Sequence, residues 1–96
     1  MKAGELVVAD NPGAQRYEAR LDGRVVGFSE YRHVRGRTIF FHTEVDEALE
    51  GQGIGSRLAA GTLDDIRARG LLITVKCPFL AAYLKRHREY EDLIAR

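Results

Sequence analysis

The chain has 96 residues with a single cysteine, and 15 Lys plus Arg against 14 Asp plus Glu leave a net charge of +1. With 45% hydrophobic and 30% charged residues, the composition suits one globular domain over residues 1–96 and excludes a disordered or fibrous chain. The balanced charge lacks the basic footprint of a nucleic-acid binder, and no apolar run approaches the roughly 20 residues of a membrane span.

Met1 to Pro12 has neither the basic start nor the apolar stretch of a signal peptide. A lone thiol fits a reducing compartment. A cytoplasmic protein is expected, without nucleic-acid or membrane partners, as a monomer or weak dimer. Residues 1–14 are expected to be a loosely ordered or short-strand N-terminal segment. From Arg16 to Leu21 polar and apolar residues alternate, Asp22-Gly23 follows, and Val25, Val26, Phe28 and Tyr31 form a second β-prone run. Asp-Gly suits the positive φ angles of a two-residue turn, so the pair reads as a hairpin. A break at Arg35-Gly36-Arg37 leads into a third strand, Thr38 to Val45, antiparallel to the second.

Asp46 to Glu50 is an acidic connector into Gly51-Gln52-Gly53-Ile54-Gly55, after which Leu58, Ala59, Thr62, Leu63 and Ile66 recur at helical spacing. That amphipathic helix is expected to end at Gly70 in a left-handed cap. Leu71 to Val75 is a nearly continuous apolar run, as in a strand covered on both faces, and a helical crossover makes it parallel to its predecessor. Pro78 suits the first turn of a further helix carrying Phe79, Leu80, Tyr83 and Leu84, which puts Cys77 at or beside the N-cap. The tail from Glu89 to Arg96 reads as a short helical extension. The predicted fold class is α/β (α+β), ordered βββαβα, with a mixed central sheet and helices packed on it.

Gly51, Gly53 and Gly55 directly precede a helix, where bare amides and the helix dipole can hold a phosphate; the same glycines also suit a tight connection with no ligand. A Walker loop ends in Gly-Lys-Ser/Thr, but this loop ends Gly55-Ser56-Arg57. A dinucleotide fingerprint needs glycine where Ser56 stands and a ribose-binding acid where the next strand offers Lys76.

What remains is x-x-x-Gly-x-Gly after a third antiparallel strand. Glu50-Gly51-Gln52-Gly53-Ile54-Gly55, followed by Ser56-Arg57-Leu58, resembles the acyl-CoA pyrophosphate loop of the GCN5-related N-acetyltransferases. Val45-Asp46 through Gly55, Cys77-Pro78-Phe79 and Tyr83-Leu84 resemble more closely the very small single-domain YjdJ-like members, over about Tyr17 to Leu93. The resemblance implies a minimal fold of that family, with acetyl-CoA or coenzyme A as cosubstrate and an amine acceptor, either a small molecule or a protein lysine or N-terminus. It implies that the strand ending at Val45 splays from the strand Leu71 to Val75, so that pantetheine enters the slot. The main chain around Thr43 to Val45 would then pair with it and polarise the thioester. The amides of Gln52, Gly53, Ile54, Gly55 and Ser56 would hold pyrophosphate, with Arg57 adding charge. Glu50 stands where the family prefers Gln or Arg and is expected to face solvent.

Cys77 reads either as a nucleophile at a helix N-terminus or as a small packed hydrophobe, and the resemblance places it near the acyl group. Alternation puts His42 on the face of Phe40 and Glu44, as a base toward an amine or Cys77, or as a hydrogen-bonded structural residue. Tyr83 is a candidate proton donor to the CoA thiolate. His33, His42 and His87 share no metal-ligand spacing, so no metal is expected. The leading function is acetyl-CoA-dependent N-acetyl transfer, by direct attack or through an acyl-cysteine. The alternatives are a non-catalytic acyl-CoA-binding or sensing module that docks to a partner, and a ligand-free structural domain.

Overall fold

Alternating strands closed by tight turns, then an amphipathic crossover helix, give the computed structural model a five-stranded mixed sheet that carries its helices on one face. It describes residues 5–95. The strands are β1 (Leu6–Asn11), β2 (Arg16–Leu21), β3 (Arg24–Val34), β4 (Arg37–Val45) and β5 (Leu72–Val75), and they lie in sequence order across the sheet. All neighbours pair antiparallel except β4 and β5, which pair parallel through the crossover helix α1 (Ile54–Ala68). A second helix, α2 (Pro78–Arg86), leads into a 3-10 segment over Arg88–Leu93.

Two sequence expectations change. Four strands, not three, precede α1, because Leu6–Asn11, in the stretch expected to be loosely ordered or a short strand, pairs along the whole of β2; residues 1–4 of that stretch lie outside the described residues. β5, expected to be covered on both faces, is covered by helices on one face and leaves Leu72 exposed on the other. The short helical extension of the tail is a 3-10 helix, and its end returns to the sheet: Ile94 bridges Ile73, and the Ala95 N–H donates to the Ile73 carbonyl at 2.8 Å. Arg96 lies outside the described residues.

The β2–β3 and β3–β4 hairpins turn on X-Gly pairs in which each residue has positive φ: Asp22 and Gly23 at 52° and 84°, Arg35 and Gly36 at 52° and 78°. That backbone twist matches the twist of the strands it joins. The core is built by Tyr17, Ala19, Tyr31, Phe40 and Ile73 from the sheet against Leu58, Ala59, Leu63 and Ile66 of α1 and Leu80, Tyr83 and Leu84 of α2. α1 lies so close to β1 that a Cβ on Gly61 would stand 2.7 Å from the Val8 Cβ. Polar pins reinforce the contact. The Tyr17 hydroxyl donates to Asp65 at 2.6 Å and that of Tyr31 to Asp10 at 2.5 Å, while Arg69 bridges both carboxylates. Burial, then the adjacent aspartates, push both tyrosine pKa values up, so these phenols stay protonated donors. The 3-10 tail is fastened to α1 by Tyr90 on Asp64 and by Arg67 forked onto Asp92.

Candidate functional site

The pairing of β4 with β5 lasts four residues, from Arg37 opposite Leu72 to Phe40 opposite Val75. The last rung is the Lys76 N–H on the Phe40 carbonyl at 2.8 Å. Pro78 then opens α2 and takes the chain away, while β4 runs on to Val45. The β4 edge from Phe41 to Val45 therefore faces a gap instead of a strand. Asp46 turns its N–H to the Val26 carbonyl at 2.8 Å, so alternation points Glu44 toward β3 and turns the main-chain groups of Thr43 and Val45 into the gap.

At the mouth of this gap stands the glycine loop. Asp46 accepts a hydrogen bond from the Ala48 N–H, starting a 3-10 turn over Glu47–Leu49, and Glu50 beyond it is exposed. Gly51 and Gly53 take φ of 86° and 78°, and Gly53 is the N-cap of α1 with no side chain to cap it. The first amides of that helix, from Ile54, Gly55 and Ser56, have no intrahelical acceptor and are available to an anion. The Gln52 amide is not among them. It donates to the Leu49 carbonyl at 3.2 Å. Arg57 reaches away, its guanidinium 3.4 Å from the Leu6 carbonyl. Gly55 has a packing reason as well: a Cβ there would lie 2.8 Å from the Phe79 ring and 3.7 Å from Val45, so the N-termini of α1 and α2 meet across a side chain reduced to hydrogen.

Cys77 is the N-cap residue of α2 and is 2% exposed. Its Sγ donates to Thr43 Oγ1 at 3.1 Å across the gap, and Thr43 Oγ1 shares a hydrogen bond with Ser29 Oγ at 2.9 Å. His42 stands elsewhere. β4 carries a one-residue bulge, since Tyr31 pairs with Phe40 and Glu30 with His42, leaving Phe41 unmatched. The bulge resets the alternation: Phe40 is buried on the helix side, whereas His42 turns outward with Glu44, 2.7 Å from its carboxylate and packed on Phe28. The expected sharing of a face by His42 and Phe40 is thus corrected. Cys77 and His42 lie on opposite faces of the sheet.

Tyr83 is buried beside the core and stacks on His87 at 4.0 Å. Burial, helped by Glu89 and Asp64, raises its pKa. On the outer face, a groove of about 670 Å³ runs beside the free end of β4, lined by Val25, Phe28, Glu44, Val45, Asp46 and Glu47 among others. Sequence reasoning missed Thr43 and Ser29 as side chains, and also Glu44. Only the hairpin register, which places Ser29 opposite Thr43, would have linked the first two.

Comparison with known proteins gives the following matches. The family model described as GCN5-related N-acetyl-transferase matches residues 16–93. No curated protein matches the sequence. The solution structure of a GCN5-like protein from Staphylococcus aureus superposes with a TM-score of 0.69 at 23% identity, over 99% of this chain and 91% of that one. The ribosomal-protein-alanine N-acetyltransferase of Brucella melitensis gives 0.57 at 23% identity, over 84% of this chain and 61% of that one. The ribosomal-protein-S18-alanine N-acetyltransferase of Escherichia coli gives 0.57 at 21%, over 62% of this chain but 39% of that enzyme. At these identities the solved structures establish the fold.

Proposed function

The chain belongs to the GCN5-related N-acetyltransferases, and from that premise we propose that it transfers an acetyl group from acetyl-CoA to an amine through Cys77. The observation that carries this reading is the gap itself. β4 loses its partner at Phe40, turns the main chain of Thr43 and Val45 into the opening, and has an uncapped helix N-terminus at one end and a cysteine at the other. A pyrophosphate at the amides of Gly53 to Ser56, with the Gln52 side chain as neighbour, sends pantetheine along the free edge of β4 past Val45. The thioester then arrives beside Cys77, where main-chain N–H groups receive the charge that develops on its oxygen.

The two faces divide the work. Cys77 takes the acetyl group on the helix side. The amine approaches from the outer groove, where His42, oriented by Glu44, takes its proton, and reaches the acetyl group through the β4–β5 gap: the carbon–nitrogen bond forms as the carbon–Sγ bond breaks, and Cys77 recovers a proton as a thiol. Arg57 adds long-range charge to the loop rather than direct contact, and Tyr83 serves packing. The lone buried thiol suits a reducing, cytoplasmic setting.

Calorimetric titration with acetyl-CoA and desulfo-CoA, with thiol release followed in the presence and absence of primary amines, tests the reading. Binding of both ligands with amine-dependent release of CoA is expected. Binding without release would identify an acyl-CoA sensor, and no binding would leave the glycine loop as a turn only. An acetyl adduct on Cys77 after acetyl-CoA alone is expected by mass spectrometry; turnover without it would mean direct attack by the amine.

A further inference from the structure

The opposed faces leave Cys77 without the histidine that commonly accompanies a nucleophilic thiol. We infer that Thr43, backed by Ser29, is the positioning residue for Cys77: the hydroxyl pair fixes the sulfur at the fork between β4 and β5 and serves as its hydrogen-bond partner through acyl transfer. This rests on the acyl-cysteine route proposed above.

The observations are geometric. Sγ, Thr43 Oγ1 and Ser29 Oγ form an unbroken chain with spacings of 3.1 and 2.9 Å. Cys77 and Ser29 are each 2% exposed, so both ends of this chain are closed to bulk water, with the partly buried Thr43 between them. Thr43 lies on the first stretch of β4 that has lost its strand partner, which is where its main chain faces the thioester path. The γ-methyl of a threonine also limits χ1, so the hydroxyl is held in place rather than swept through rotamers. Either oxygen of the Ser29–Thr43 pair can donate, and with Ser29 as donor the Thr43 hydroxyl keeps its own proton free for sulfur.

The step balances. The bond from Sγ to the acetyl carbon forms as the carbon–sulfur bond to CoA breaks, and the thiol proton leaves on the CoA sulfur as CoA–SH. Thr43 accepts from the S–H at the start and reverses to donate as negative charge gathers on sulfur, so it begins and ends neutral. A charge-assisted bond of this kind supports about a tenfold effect on rate.

The chain's single cysteine makes the test clean, since one S–H stretching band reports one group. Thr43→Val keeps the shape and removes the hydroxyl, whereas Thr43→Ser restores it. Expected for Thr43→Val is a shift of the S–H band to higher frequency in the free protein, with acetylation of Cys77 by acetyl-CoA slowed about tenfold. Desulfo-CoA affinity and melting temperature should stay near wild type, and Thr43→Ser should recover the band and most of the rate. Wild-type acetylation by Thr43→Val, or an unmoved band, overturns the inference while leaving the acyl-cysteine route intact. Loss of desulfo-CoA affinity in Thr43→Val overturns it in favour of a binding role. If the wild-type protein itself forms no adduct while turning over, the acyl-cysteine route fails and the inference falls with it.

Discussion

Glu18 is a carboxylate almost without access to solvent, on the sheet face that no helix covers. Arg16, Arg20 and Asn11 enclose it with hydrogen bonds. Burial pushes its pKa up, but those partners outweigh the burial and bring it down from 4.5 to about 2. A depressed folded pKa contributes stability that is fully present above pH 4.5 and is lost as pH falls toward 2. Because Arg20 is half-exposed, screening reduces the contribution to about 2 kcal/mol. Chemical denaturation at pH 7 and pH 3 should show Glu18→Gln less stable by that amount at the higher pH, with the gap narrowing at the lower. Thr62 is the opposite case: among the described residues its buried hydroxyl has no partner, beneath α1. Thr62→Val replaces it with a methyl of the same shape and should raise stability by about 1 kcal/mol, read as a higher urea midpoint with unchanged slope.

At the scale of elements, α1 is positioned by two glycines that act through absence. Alanine at position 61 would gain helix propensity, but its Cβ would meet the Val8 branch carbon, which cannot rotate away. Gly61→Ala should therefore destabilise by about 2 kcal/mol net, measured by thermal or urea unfolding. The hairpin turn offers the converse. Arg35 holds φ of 52°, a left-handed angle that asparagine tolerates better, so Arg35→Asn should raise the melting temperature by a few degrees without touching acetyl-CoA binding. These same elements explain what could be read from sequence. Asp22-Gly23 and Gly70 announce themselves because few residues adopt their backbone angles, and the glycine loop is legible because no side chain competes with its amides. The bulge at Phe41 left no trace in the apolar pattern, since one inserted residue among Phe40, Phe41 and His42 looks like an uninterrupted strand. β1 was illegible for a related reason: an edge strand needs only one covered face, and Leu6, Val8 and Asp10 mark that face too briefly to count as alternation. The grouping of Ser29, Thr43 and Cys77 depends on register across separations of 14 and 34 residues, which composition does not encode.

The whole molecule is a single sheet with one helical layer, 45 × 30 × 21 Å. Val7, Val25, Phe41 and Leu72 remain exposed on the uncovered side, and Arg32 lies over the Phe41 ring. That side also carries His42 and the outer groove. Among the described residues no helix is long and apolar enough to cross a membrane.

The short β4–β5 ladder has a consequence for the order of assembly. β1 to β4 form a meander of successive neighbours, whose pairing closes only small loops, whereas β5 reaches β4 only after the whole of α1 has been laid across the sheet. The fork between β4 and β5 is then the last region to be knitted together and the first to breathe. In native-state hydrogen exchange the Lys76 amide should lose protection well before those of β2 and β3. On the proposed function, a CoA thread bound along β4 would supply the missing rungs and slow that opening, extending a β4–β5 ladder that stops after four pairs.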